Sequence, residues 1–125
     1  MSDLIINEPH LMVSPTIAYL IGLNESIVLQ RIHYWINLNL NKNLKDEQYW
    51  VYNSYDNWKK QFFFWSDSTL RRTFRNLEKM DILNSMEPKK HLGDRTKWYT
   101  INYKKLQEMI DSIPPSGQID QMPLN

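Results

Sequence analysis

The sequence predicts an α+β fold that is mainly helical, and three observations carry that prediction. Apolar residues recur at helical spacing in five segments, several of them behind a recognisable cap. Two short stretches with strand-like composition flank the turn residues His91-Leu92-Gly93-Asp94, which reads as a β-hairpin. A chain of 125 residues without cysteine can bury roughly two thirds of its unfolded surface in one core, so neither disulfides nor a thiolate zinc site is needed. The expected organisation is one domain over residues 1–112 and a tail or linker start over 113–125.

Each element has a local reason. Ser14 caps a first helix with Pro15 at its first position, where the missing N–H costs nothing, and the helix ends near Gly22. Asn24 is the expected cap of a second helix, from 25 to about 38, on which Ile27, Val28, Ile32, Trp35 and Ile36 follow helical spacing. Residues 39–48 have no apolar period and read as a loop, and Tyr49-Trp50-Val51-Tyr52 reads as one short strand. A short helix from Tyr55 to about Phe62 places Trp58 and Phe62 one turn apart, and Phe63-Phe64-Trp65 is expected to form a buried turn. Ser66 then caps a helix with Leu70, Phe74 and Leu77 along one stripe, ending near Met80-Asp81. Residues 82–86 and 97–103 are the expected hairpin strands, and a last helix runs from 104 to about 112. The Pro-Pro-Ser-Gly stretch beyond it lacks any apolar period and is expected to be disordered.

A net charge of +1 conceals an uneven distribution. Residues 1–58 carry −3, residues 59–105 carry +7 and residues 106–125 carry −3. A basic middle between acidic ends is the footprint of a nucleic-acid-binding face, although a solvated surface accounts for part of it. No apolar run approaches the roughly 20 residues of a membrane span, and the N-terminus lacks a signal-peptide layout, so a cytoplasmic protein without membrane contact is expected.

Two short helices joined by a tight turn and followed at once by a hairpin is the element order of a winged helix-turn-helix, whose second helix enters the major groove. At about 100° per residue, Ser68, Arg72, Arg75 and Lys79 fall opposite Leu70, Phe74 and Leu77, with Arg71 at the edge. An arginine fork bonds guanine O6 and N7 together, which makes Arg72 and Arg75 candidates for base edges. Ser68 and Thr69 lie at the helix N-terminus, where free N–H groups favour a phosphate. Lys89, Lys90, His91, Arg95 and Lys97 surround the hairpin tip as a basic wing, for which edge-strand protection is the plainer alternative. Lys59 and Lys60 fit a phosphate brace and a solvated face equally well.

Sixteen aromatics raise single-strand binding by stacking as an alternative. Burial is the better default for Tyr19, Trp35, Trp50, Trp58, Phe62, Phe64, Phe74, Trp98 and Tyr103, which leaves Trp65, Tyr34 or Tyr55 as exposed platforms. No enzyme is expected: Gly22, Gly93 and Gly117 cannot form a phosphate loop, and His10, His33 and His91 have no metal-ligand spacing. No cofactor or metal is therefore expected.

The stretch from Ile21 to Leu106 resembles the N-terminal winged-helix domain of replication initiator or replisome organiser proteins from phages and plasmids of Gram-positive bacteria. The likeness rests on Ile21-Gly22-Leu23-Asn24-Glu25, Arg31-Ile32-His33-Tyr34-Trp35, the run from Tyr49 to Tyr55, Trp58, Phe64-Trp65-Ser66, Leu70-Arg71-Arg72 and Lys97-Trp98-Tyr99-Thr100-Ile101. Phe63 stands where that family often has proline, and Asp81 where it often has the glycine suited to a left-handed helix end. The resemblance implies sequence-specific binding of double-stranded DNA at a replication origin. It also implies a separate C-terminal region that engages the host replicative helicase or its loader, and residues 117–121 resemble the linker leading there.

Two other roles fit the same residues. One is transcriptional repression; the other is a small mobile-element protein that inhibits or recruits a host protein or nucleoprotein complex. A homodimer is expected because the second helix is apolar on more than one face.

Overall fold

Proline at the first position of a helix gives up an N–H that has no helical partner, and a serine just before it can satisfy another. The computed structural model describes residues 8–38, 44–45, 48–87 and 96–113, and it opens in this way. In α1 (Pro15–Ile21) the Ser14 Oγ accepts from the Ile17 N–H. The helix stops on Gly22 at φ 109°, a conformation that L side chains rarely adopt. The Gly22 carbonyl accepts from the Ser26 N–H at 2.9 Å, so α2 (Leu23–Leu38) follows without a linker. The expectation of a cap at Asn24 is thereby corrected: Gly22 turns the chain in a single residue, and Asn24 lies inside the first turn of α2.

Strand pairing corrects the reading of residues 39–52. Backbone pairs join β1 (Leu44–Lys45) to β2 (Gln48–Tyr49), within a stretch expected to be loop and strand, and the expected single strand is interrupted at Trp50 before β3 (Val51–Asn53). After α3 (Tyr55–Gln61) and α4 (Asp67–Lys79) come β4 (Leu83–Met86) and β5 (Lys97–Ile101). A three-stranded antiparallel sheet has the order β3-β5-β4, with Val51 opposite Tyr99 and Leu83 opposite Ile101. Asn102 closes β5 and caps α5 (Tyr103–Asp111), accepting from the Lys105 N–H, so Tyr103 belongs to the helix and not to the strand.

The core forms where α2 is packed by α1, α4, β3 and β5. Val28, Ile32, Trp58, Phe62, Leu70 and Leu77 are almost wholly shielded from water. Three aromatics expected inside are not: Tyr19 is 73% exposed, and Phe64 and Tyr103 are only partly covered. The turn 63–65 is likewise not a buried one. Phe62 and Trp65 stack at 5.3 Å and take its inward positions, leaving Phe63 and Phe64 outside. Among the described residues no helix is long and apolar enough to cross a membrane. The expected wing tip, with Lys89, Lys90, His91 and Arg95, and the expected tail beyond Ile113 lie outside the described residues.

Candidate nucleic-acid interface

The 3.6-residue period divides α4 into two faces. Leu70, Thr73, Phe74 and Leu77 are buried, and the Thr73 hydroxyl donates back to the Thr69 carbonyl at 2.7 Å. On the other side Ser68, Arg72, Arg75 and Lys79 are exposed at successive turns, while Thr69 is half-buried. Among the described residues Arg72, Arg75 and Lys79 have neither an ion pair nor a hydrogen-bond partner. Three cations on one helix face are thus available to an external anion.

Arg71 differs. Its Nε donates to the Asp67 Oδ2 at 2.8 Å and its guanidinium lies 4.9 Å from the centre of the Tyr55 ring. The Tyr55 hydroxyl donates to the Asp67 Oδ1 at 2.8 Å, and Lys59 Nζ is 3.5 Å from the same oxygen. The Tyr55 hydrogen bond, followed by the Arg71 bond and charge, holds the Asp67 carboxyl below the usual carboxylate range. Arg71 is therefore first a brace between α3 and α4.

This cluster also bears on the phosphate expected at Ser68 and Thr69. The Thr69 N–H already donates to the Ser66 Oγ cap at 3.2 Å, and the first turn carries the Asp67 carboxylate. An anion there would meet a negative charge and one fewer free donor.

Other bonds fix the orientation of α4 and its neighbours. The Asn76 amide donates to Glu25 Oε2 on α2 at 2.9 Å. Gln61, at the end of α3, accepts from both Arg31 Nε and Trp35 Nε1 on α2, at 3.0 and 2.9 Å. At the far end of α4, the Asp81 N–H donates to the Glu78 carbonyl and the Ile82 N–H to the Leu77 carbonyl, with Asp81 at φ 61°. This is a Schellman-type end, with aspartate in the left-handed position where glycine is usual.

The strand pair β4–β5 leaves α4 directly, and Lys97 lies half-buried at its start, opposite Asn53 of β3. His33 is committed elsewhere: its Nδ1 is 2.7 Å from the Tyr103 hydroxyl and its Nε2 is 3.0 Å from the Asn37 amide. Burial pushes the Tyr103 hydroxyl up to about 12. Among the described residues no three His, Asp or Glu side chains are grouped to hold a metal ion.

Sequence reasoning missed the bracing roles of Tyr55, Asp67 and Gln61. The i,i+4 spacing of Asp67 and Arg71 was the one readable signal for them. The chain matches no protein-family model, and comparisons with curated proteins and with solved structures found no match.

Proposed function

We propose that this chain is a winged helix-turn-helix that binds double-stranded DNA with sequence preference, with α4 in the major groove and the β4–β5 hairpin as the wing. The observation that carries this reading is the exposed cationic face formed by Arg72, Arg75 and Lys79, unpartnered among the described residues, on a helix anchored at both ends. The order α3, turn, α4, β4, β5 supports it. In this arrangement Arg72 and Arg75 read base edges. Lys79 and Lys97 contact phosphates, as do Lys89, Lys90 and Arg95, which belong to the same charge excess in the sequence. An origin of replication on a phage or plasmid is the target that the sequence resemblance adds, and a helicase or its loader is the partner it adds.

Selection from a random duplex library tests the reading. The wild-type chain is expected to enrich a site, and Arg72→Ala or Arg75→Ala to relax its preference at single positions by about 1–3 kcal/mol. Enrichment of the same site by the wild type and both variants would remove the assigned roles of these arginines.

A further inference from the structure

Aromatic rings run without a break from the core to the surface at the turn between α3 and α4. Buried Trp58 lies 6.3 Å from Phe62, which stacks on Trp65. Phe64 meets Phe62, Trp65 and Phe63 edge-on, at 6.4, 5.1 and 5.8 Å. Trp58 and Phe62 are shielded and Trp65 is half-buried, whereas Phe63 is 77% and Phe64 51% exposed. Contact with three neighbouring rings restricts Phe64, so its exposed surface is oriented in advance.

Around this pair lie Lys59, Lys60 and Arg71 together with the Asp67 carboxylate, which Lys59 and Arg71 both approach, so the local excess is cationic. Lys59 and Lys60 occupy the exposed last turn of α3, immediately before the rings. The 3.5 Å approach of Lys59 to Asp67 sets that turn beside the first turn of α4, where the face of Ser68, Arg72 and Arg75 begins. Two adjacent exposed phenylalanines mark a contact surface. A ligand that offers flat π-faces and negative charge together is a nucleic-acid strand with accessible bases. Within a duplex those faces are occupied by neighbouring base pairs, so away from its ends only unpaired bases present them.

We propose that Phe63 and Phe64 form a stacking platform for unpaired bases at the edge of the duplex gripped by α4. The preferred ligand is then a junction of paired and unpaired DNA, an inference that rests on the DNA-binding reading of α4. Stacking of one base on an aromatic side chain changes affinity by about tenfold or more.

The test compares anisotropy binding to a fully paired duplex and to the same duplex with about six unpaired central bases, a size within single-strand site ranges. The wild-type chain is expected to bind the unpaired form about tenfold or more tightly. Phe63→Ala/Phe64→Ala should abolish that preference and keep duplex affinity. Phe63→Leu/Phe64→Leu, which preserves apolar bulk without a π-face, should abolish it too, with unchanged thermal melting showing both variants folded. Equal wild-type binding to the two DNAs, or a preference kept by the leucine variant, overturns the platform and leaves the α4 reading intact. Binding to neither DNA overturns both. Loss of self-association in the alanine variant with unchanged DNA binding would make a second copy the occupant and overturn the platform.

Discussion

Asp81 holds φ 61° at the end of α4, a region that costs an L-residue roughly 1 kcal/mol and glycine almost nothing. Its carboxylate also sits at the negative end of the helix dipole. Asp81→Gly is expected to raise stability by about 0.5–1 kcal/mol and Asp81→Val to lower it by about 1 kcal/mol or more, read from urea midpoints. A lower midpoint for the glycine variant would contradict this account of the turn. Burial raises the hydroxyls of Tyr99 and Tyr103 above their ordinary value near 10, that of Tyr103 to about 12. Since the fold binds these protons more tightly than the unfolded chain does, their contribution is fully present below pH about 10 and is lost as pH rises through the raised values. Urea midpoints should therefore fall between pH 10 and about 12, and less steeply in Tyr103→Phe; a flat profile in the wild type would count against it.

At the scale of elements, Arg71 and its neighbours on α4 separate into a brace and, on the proposed reading, base-contacting arginines. Arg71 commits its guanidinium to Asp67 and Tyr55, whereas Arg72 and Arg75 are unpartnered among the described residues. Arg72→Ala and Arg75→Ala are expected to weaken duplex binding by about tenfold or more each, and Arg71→Ala by less, in anisotropy titrations. The reverse ranking would reassign the base-reading role to Arg71. The helices and their order were legible because Ser14, Ser66 and the apolar stripe of α4 are local signals, and local geometry fixes them. The pairing of Val51 with Tyr99 was not, because it joins strands with two helices and another strand between them. Nor was the exposure of Phe63 and Phe64: in the sequence the run reads as a buried turn with Trp65 as its one exposed ring, but Phe62 and Trp65 stack inward and the two phenylalanines between them face out. For the candidate site, the cationic face of α4 was readable from spacing. The commitment of Arg71 depended on how close α3 comes to α4.

The whole molecule is close to neutral, yet the excess of +7 over residues 59–105 is set against −3 on either side. On the proposed reading, that separation orients the approach to a polyanion more than it adds overall attraction, and binding is expected to be sensitive to salt. Leu23, Tyr34 and Leu38 on α2 are exposed, and the homodimer proposed from the apolar character of that helix would use them and imply a palindromic site. Sedimentation at tens of micromolar measures this; a dimer is the expected result, and a monomer would restrict the target to a single half-site. The central claim is tested most directly by duplex affinity across a series of salt concentrations, for the wild type and for Lys79→Ala/Lys97→Ala, which removes two of the proposed phosphate contacts. Neutralising about five phosphates predicts a slope of log K against log salt near −4 to −5, shallower by about 1 for each phosphate that a variant leaves unneutralised. A slope near zero, or no duplex binding at low salt, would contradict the claim.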